Sequence, residues 1–143
     1  MFRECESLIA APNLPGTSIG KQAYSYMFAD CVSLSIPPVI SATTLITDQY
    51  GGNNLEYMFR GCLNLRKSPE LLPTTLPNYC YRSMFSECAN LTSIKCLATT
   101  FGTDSTRSWV YDIPNRCTFT KASGVSWSRG DNGIPYGWTV VEV

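Results

Sequence analysis

The stretch Met58-Phe59-Arg60-Gly61-Cys62-Leu63-Asn64-Leu65 contains the pattern Met-Phe-x-x-Cys-x-x-Leu, which decides the fold. The pattern occurs four times, starting at residues 1, 27, 58 and 84, so the starts lie 26, 31 and 26 residues apart. Every methionine of the chain begins a copy of it. Recurrence at such spacings is typical of a repeat protein, in which each copy forms one coil of a solenoid. We therefore predict a solenoid of about four coils.

The positions that repeat within each unit predict a helix followed by a short strand, and hence an α/β repeat. Before the cysteine, apolar residues recur at spacings of three and four, which indicates one face of a helix. In the fourth unit these residues are Tyr81, Met84, Phe85 and Cys88. After the leucine, a proline such as Pro69 limits the coil to a short or irregular strand, because proline cannot donate to a strand ladder.

The chain is predicted to have two parts. The first is a solenoid over residues 1–98, with units 1–26, 27–57, 58–83 and 84–98. The second is a C-terminal β cap over residues 99–143, packed on the solenoid. Three short segments of the cap have strand character: Cys117–Lys121, Val125–Trp127 and Trp138–Val141. Trp109, Trp127 and Trp138 are all in the cap, where they would either seal the core or form a platform for stacking carbohydrate.

Four of the seven cysteines occupy the same position in successive units, at Cys5, Cys31, Cys62 and Cys88. We predict that they form a structural ladder of buried free thiols. No Cys-x-x-Cys pair is present and histidine is absent, so neither a metal site nor a cofactor is expected. Cys80, Cys96 and Cys117 lie off the ladder, and either two of them form a disulfide or all are free.

Composition excludes several classes of function. The formal net charge is zero and only 15% of residues are charged, so binding to nucleic-acid phosphates has no electrostatic support. No apolar run is long enough to insert into a membrane, and we expect no signal peptide in the given sequence. Without histidine, a Ser-His-Asp triad is impossible. We predict no catalytic residues and no enzymatic activity.

The predicted binding face follows the strand side of the coils. Positions 8, 9 and 12 after each methionine vary in size and charge, whereas the position 13 residues after it stays apolar, at Leu14, Ile40, Leu71 and Leu97. The outward position 12 includes Cys96. The second unit carries an insertion rich in glycine and asparagine, which predicts a surface loop. The candidate ligand-binding residues are Arg66, Lys67 and Glu70, with Gln49, Tyr50, Asn53 and Asn54 at their rim. The alternative is a solvent face with no ligand.

Two short motifs have structural interpretations. Arg129-Gly130-Asp131 matches an integrin-binding tripeptide but begins a glycine-rich turn of the predicted cap. Asn90-Leu91-Thr92 is a glycosylation sequon, but Asn90 also occupies a repeated position where a short polar side chain can bind turn backbone.

The unit Met-Phe-x-x-Cys-x-x-Leu-x-x-x-Pro-x-Leu resembles the BspA-like leucine-rich repeats, which have Ala-Phe in place of Met-Phe. The tail, Cys117–Lys121 followed by Gly133–Val140, is similar to the end of repeat proteins encoded by Bacteroides-type bacteria and their phages. The resemblance covers nearly the whole chain. It implies a short right-handed leucine-rich-repeat-type solenoid with a C-terminal β cap, and it supplies no catalytic residues. Lys95 in place of proline departs from the pattern.

The function implied by this resemblance is a non-catalytic binding or adhesion module of a bacterial cell-surface or phage tail-associated protein. Its location would be extracellular, on the cell surface or on a virion. Its expected partner is a protein or glycan on a cell surface. The alternative is a structural spacer or assembly domain of a larger fibre. Because the chain begins directly on a repeat, we expect further N-terminal repeats or a partner chain to cover the first coil.

Overall fold

The chain folds into a parallel β-solenoid of about five turns, described by a computed structural model over all residues from 1 to 143. It contains short strands, many turns and no helix. The predicted solenoid is confirmed. The prediction of an α/β repeat is wrong, because the predicted helices do not form. None of its elements is a helix that could cross a membrane.

The strands are β1 (Ser18–Ile19), β2 (Thr44–Leu45), β3 (Lys67–Leu71), β4 (Thr75–Leu76), β5 (Ser93–Cys96), β6 (Thr100–Phe101), β7 (Thr118–Lys121) and β8 (Thr139–Glu142). Every pairing between them is parallel. One sheet has the order β3-β5-β7-β8, while β1 pairs with β2 and β4 pairs with β6. Each strand pairs with a strand of the neighbouring coil, so the sheets run along the solenoid.

Each coil has three sides. The first wall is the four-stranded sheet, which continues into the first two coils only as single bridges, Ala10 with Ile36 and Leu14 with Ile40. The second wall consists of the two short sheets and presents exposed hydroxyl side chains in every coil from Thr17 to Thr100. The third side, which we name the turn ladder, comprises residues 21–30, 54–61, 78–87 and 103–112.

The turn ladder replaces the predicted helix. Along it, successive backbone N–H groups donate to two different kinds of partner. The N–H of Phe28 donates to the carbonyl of Met58 in the next coil at 2.9 Å, whereas the N–H of Ala29 donates to Tyr26, three residues back, at 3.1 Å. The second kind of bond closes β-turns, and the first kind joins the coils. Backbone polar groups are thus satisfied without a helix.

A left-handed backbone conformation every fourth residue produces this ladder. The third residue after the motif's first position has a φ between 55° and 69° in every coil, at Glu4, Asp30, Gly61, Glu87 and Asp112. The residues four and eight positions earlier also have positive φ, for example Tyr26 and Gln22. Such residues interrupt a right-handed helix. A four-residue repeat nevertheless places inward side chains at spacings of three and four, which is why it resembles the period of a helix.

The inward face was predicted correctly even though the element was not. Tyr81, Met84, Phe85 and Cys88 are all fully buried. The motif's phenylalanines stack along the axis with centroid distances of 5.4, 5.6 and 5.5 Å between Phe2, Phe28, Phe59 and Phe85. Full burial of one such ring contributes roughly 1.5–3 kcal/mol. The stack therefore forms a continuous apolar core.

The fourth coil is one residue shorter in the first wall. The pairing of β3 with β5 shifts by one residue at Ser68 and Pro69. As a result, Cys96 pairs with Leu71 and is fully buried. The predictions that Leu97 is the core residue and that Cys96 faces outward are both wrong, because a one-residue shift exchanges the two faces of a strand.

Residues 99–143 continue the three-sided arrangement. β6 pairs with β4, residues 103–112 extend the turn ladder, and β7 and β8 extend the first wall. Two of the three predicted cap strands form, as β7 and β8, whereas residues 125–127 are not a strand. The division at residues 98 and 99 stays a prediction about domain organisation, since strand pairing and the turn ladder both cross it.

The tryptophans lie at the C-terminal end of the core. Trp109 is fully buried, and its Nε1–H donates to the carbonyl of Gly133 at 2.7 Å. Its ring stacks on Trp127 at a centroid distance of 5.8 Å and meets Phe119 edge to face. Trp138 is also buried. Trp109 and Trp138 thus belong to the core and Trp127 packs against it, whereas their role as a seal stays a prediction.

Candidate functional site

A large cavity lies at the C-terminal end of the solenoid, between the last run of the turn ladder and the loop before β8. Its volume is about 500 Å³. We name it the tyrosine cleft, because it is lined by the exposed side chains of Tyr111 and Tyr136 beside the buried Trp138. Its remaining apolar walls are Val110, Ile113 and Pro135, and its polar side chains are Asp112, Asn115 and Asp131.

The loop over residues 128–134 holds one side of the tyrosine cleft. Ser108 anchors it twice, since its N–H donates to the carbonyl of Asp131 at 3.0 Å and its hydroxyl donates to the carboxylate at 3.1 Å. The loop is closed on itself by the N–H of Gly130, which donates to the carbonyl of Ile134 at 3.0 Å. The sequence Arg129-Gly130-Asp131 therefore forms part of this anchored loop, which agrees with its structural interpretation.

A second cavity of about 450 Å³ adjoins the tyrosine cleft on the outer face of the turn ladder. We name it the arginine pocket. It is lined by three arginines and three serines, together with two tyrosines and one acid: Arg60, Arg82, Arg107, Ser83, Ser86, Ser108, Tyr57, Tyr111 and Glu87. Tyr111 lines both cavities, so the two are neighbours that share this side chain.

The arginine pocket exists because one outward column of the turn ladder changes from large to small residues. In the column immediately before the motif, Tyr26 and Tyr57 stack at a centroid distance of 4.6 Å. The next two residues of that column are Ser83 and Ser108. Replacement of a phenol ring by a hydroxymethyl group leaves a hollow, and the longer side chains of neighbouring columns surround it.

Each arginine of the pocket contacts an acid. Arg60 lies 3.2 Å from Glu87, and this hydrogen bond raises the pKa of the guanidinium. The nearest nitrogen–oxygen distances of the other two pairs are longer, 3.5 Å from Arg82 to Glu56 and 3.4 Å from Arg107 to Asp104. Of these acids, only Glu87 lines the pocket.

The predicted site on the strand face does not assemble as expected. Arg66, Lys67 and Glu70 are exposed on the first wall, where Glu70 pairs with Lys95 at 2.5 Å. The loop predicted at their rim lies instead at the corner between the second wall and the turn ladder. That corner is opposite the first wall, so the two groups of residues are separated by the body of the coil.

Within that loop, the four predicted residues have different environments. Gln49 and Tyr50 are exposed, and Asn53 is half-buried beside Glu56, to which its amide donates at 2.9 Å. Asn54 is fully buried, and its Nδ2 lies 2.8–3.0 Å from the carbonyls of Ile19, Gly20 and Ile46. This side chain joins the loop to the coil beneath it, and the ligand-binding role of Asn54 stays a prediction.

The cysteine ladder forms in the inner coils. Cys31, Cys62 and Cys88 are fully buried, and each thiol donates to the carbonyl of the phenylalanine in the preceding coil, at 2.9–3.1 Å. Burial raises the pKa of Cys62 well above its usual range and that of Cys88 to about 12. Cys5 is exposed, so its predicted burial is wrong, because no coil precedes it in the structure.

All seven cysteines are free thiols, including Cys80, Cys96 and Cys117. Burial raises the pKa of Cys96 to about 12 and that of Cys117 to about 11. Such thiols stay protonated at neutral pH, and only the thiolate is an effective nucleophile. No group of three or more Cys, Asp or Glu side chains is placed to hold a metal ion.

Comparison with family models, with curated proteins and with solved structures finds no match to this chain. The candidate site therefore rests on its own geometry.

Sequence reasoning missed the arginine pocket and most of the tyrosine cleft. The four-residue period of the turn ladder is the signal that could have found them. With that period, Tyr57, Ser83 and Ser108 fall in one outward column. Within that column, the change from aromatic residues to serine was visible in the sequence.

Proposed function

We propose that this chain is a non-catalytic binding module whose ligand is a glycan held in the tyrosine cleft. The observation that carries the proposal is the presence of two exposed tyrosines and three polar side chains around one cavity. Tyr111 and Tyr136 supply the aromatic faces, and Asp112, Asn115 and Asp131 supply the hydrogen-bonding groups.

The chemistry of the cleft suits a sugar. A sugar ring has apolar C–H faces, which pack against aromatic rings, and hydroxyl groups at its edges. Carboxylates accept hydrogen bonds from such hydroxyls, while an asparagine amide both donates and accepts them. Ligand sites generally have volumes of roughly 300–1,000 Å³ and combine apolar walls with a few polar groups. The cleft, at about 500 Å³, has this size and character.

The acids of the cleft favour binding over catalysis. Asp112 and Asp131 are both exposed to solvent. A carboxyl group that acts as a general acid at neutral pH usually needs an apolar environment that keeps it protonated. Exposed carboxylates are better suited to accept hydrogen bonds from hydroxyl groups. We therefore propose that the chain has no enzymatic activity.

The biological setting of this proposal comes from the repeat resemblance. BspA-like repeats occur in surface proteins of bacteria, which supports an extracellular, cell-surface or virion location and a role in adhesion. The binding partner would then be a glycan of a bacterial surface. A phage tail-associated protein is one class of protein that would bind such a glycan. The right-handed, leucine-rich-repeat-type architecture is part of the same proposal.

A glycan array that includes bacterial surface polysaccharides tests the proposal. We expect at least one glycan to bind, and we expect Tyr136→Ala to weaken its binding at least tenfold, roughly 1.4 kcal/mol. Tyr50→Ala is the matched control, because Tyr50 and Tyr136 are both 74% exposed but lie in different loops. Tyr50→Ala should leave the affinity unchanged.

The strand-face hypothesis makes the opposite prediction for the same glycan. If the ligand lies on the first wall, the Arg66→Ala, Lys67→Ala double variant should weaken binding at least tenfold, whereas Tyr136→Ala should have no effect. That result would overturn the assignment of the ligand to the tyrosine cleft.

The alternative function is a structural spacer or assembly domain. Stacked repeats of this kind can extend into a longer fibre, because each coil contacts only its neighbours. The spacer alternative predicts concentration-dependent association in analytical ultracentrifugation, together with no glycan binding on the array.

A further inference from the structure

The arginine pocket brings three guanidinium groups to one hollow of a chain that has no net charge. The formal net charge of the chain is zero, with 11 basic and 11 acidic residues. Arg60, Arg82 and Arg107 all line the pocket, whereas Glu87 is its only lining acid. Each arginine is also paired with an acid, Glu87, Glu56 or Asp104, so the three pairs are formally neutral. The attraction for an anionic group comes instead from N–H donors that these pairs leave unused.

The guanidinium groups retain capacity to bind a ligand. A guanidinium has five N–H donors in a rigid fork. Arg82 and Arg107 each approach their acid through Nη1, at 3.5 Å and 3.4 Å, so most of their donors are not engaged by those acids. All three arginine side chains are between 39% and 55% exposed. An incoming oxyanion can therefore reach them from solvent.

The position of Tyr111 connects the pocket to the proposed glycan site. Its side chain is exposed and lines both cavities. A sugar packed on Tyr111 in the tyrosine cleft would direct one of its substituents toward the arginine pocket. We infer that the arginine pocket binds an oxyanion substituent, a carboxylate or a sulfate ester, on the glycan that occupies the tyrosine cleft. This inference rests on the proposed function.

Planar and tetrahedral oxyanions both match the fork of an arginine. Carboxylates and sulfate or phosphate groups accept two parallel N–H bonds from one guanidinium, which adds directional specificity to the charge attraction. A nucleic acid is a poorer fit, because recognition of its backbone needs a longer basic stripe than this isolated pocket. The ligand class is therefore an acidic glycan rather than a polyphosphate chain.

Methyl β-glucuronide and methyl β-glucoside form a matched pair of probes, since they differ only at C6, which is a carboxylate in the first and a hydroxymethyl group in the second. NMR titration of the intact chain would follow the ring signals of Tyr111 and Tyr136 and the Nε–H signals of the arginines. We expect both sugars to shift the tyrosine signals. Only the glucuronide should shift Arg82 and Arg107, and it should bind at least about fivefold more tightly at 50 mM salt. Glucose 6-sulfate should behave like the glucuronide.

Two variants and a free anion make the test specific. The Arg82→Gln, Arg107→Gln double variant should abolish the preference for the glucuronide but retain binding of the glucoside. The Arg66→Gln, Lys67→Gln double variant removes two exposed charges from the first wall and should change neither affinity. Inorganic sulfate should bind more weakly than glucose 6-sulfate, because it lacks the sugar ring that contacts Tyr111.

The outcomes separate this inference from the proposed function. Equal binding of the two methyl glycosides, with shifts at the tyrosines, would overturn the oxyanion assignment and leave the glycan site in place. Shifts at the arginines without shifts at the tyrosines, or equal binding of free sulfate and glucose 6-sulfate, would show a simple anion site and also overturn it. No shift at either group with any sugar would defeat the proposed function itself.

Discussion

Met1 and Met58 begin the same eight-residue motif, yet the first and third coils bury it to different extents. Met1 is 93% exposed and Met58 is fully buried. Phe2 stacks on Phe28 alone, whereas Phe59 is stacked between two other rings. The motif supplies an apolar surface, and coils on both sides are needed to remove that surface from water.

The largest expected difference between the two coils is in thiol reactivity. With a maleimide under native conditions, Cys5 should react rapidly because it is exposed. Cys62 should react at least about a thousandfold more slowly, since access requires unfolding that costs roughly 5 kcal/mol or more. Mass spectrometry of digested samples taken over time would assign each rate. Rapid labelling of Cys62 would contradict the stacking order.

The next difference is in the contribution of the phenylalanines to stability. Phe59→Ala should lower the free energy of unfolding by about 3–5 kcal/mol, because it opens a cavity between two coils. Phe2→Ala should cost about 1 kcal/mol or less, since Phe2 is stacked on one side only. Urea titrations of both variants would measure the losses. Similar losses would mean that the first coil is as well covered as the third.

A smaller effect is expected from pH. Burial raises the pKa of Cys88 to about 12 from an ordinary value of 9.0. The unfolded thiol ionises near pH 9 while the folded one does not, so this group's stabilising contribution is complete below pH 9 and is lost as pH rises toward 12. Cys88→Ala removes this dependence. Between pH 8 and pH 10, the variant's free energy of unfolding should fall by about 1.4 kcal/mol less than that of the parent chain.

The matched control for this pH effect is Ile94→Val, which removes one methyl group from the same core without removing a titratable group. It should lower the free energy of unfolding by about 0.5–1.5 kcal/mol at both pH values. A Cys88→Ala variant whose alkaline loss equals that of the parent would show that Cys88 ionises normally in the folded chain.

The smallest expected effect on stability concerns the outward side chains of the third coil. Arg66 and Lys67 belong to this inner coil but face solvent on its first wall. The Arg66→Ala, Lys67→Ala double variant should change the free energy of unfolding by no more than about 0.5 kcal/mol, as is usual for surface positions. A loss above 2 kcal/mol in a urea titration would show that these side chains are structural.

The candidate site shows where prediction from the sequence ends. The exposure of Arg66, Lys67 and Tyr50 could be predicted, because positions between repeated core residues must face outward. The distance between the first wall and the loop that contains Tyr50 could not be predicted, because it depends on how many sides each coil has. Asparagine is common in turns, so the sequence predicts an exposed side chain at Asn54. Its burial depends instead on the carbonyls of Ile19, Gly20 and Ile46, to which its amide donates.

The sequence alone established that the chain is a repeat protein and that the Phe, Cys and Leu columns of its motif face inward. These features follow from spacing along the chain and from the apolar character of the repeated positions. Only the tertiary structure decided that turns replace helices, that Cys96 rather than Leu97 enters the core, and that Tyr111 and Tyr136 face one cleft. Those features depend on hydrogen bonds and packing between neighbouring coils. The local spacing of apolar residues fits both a helix and a ladder of turns, so it cannot choose between them.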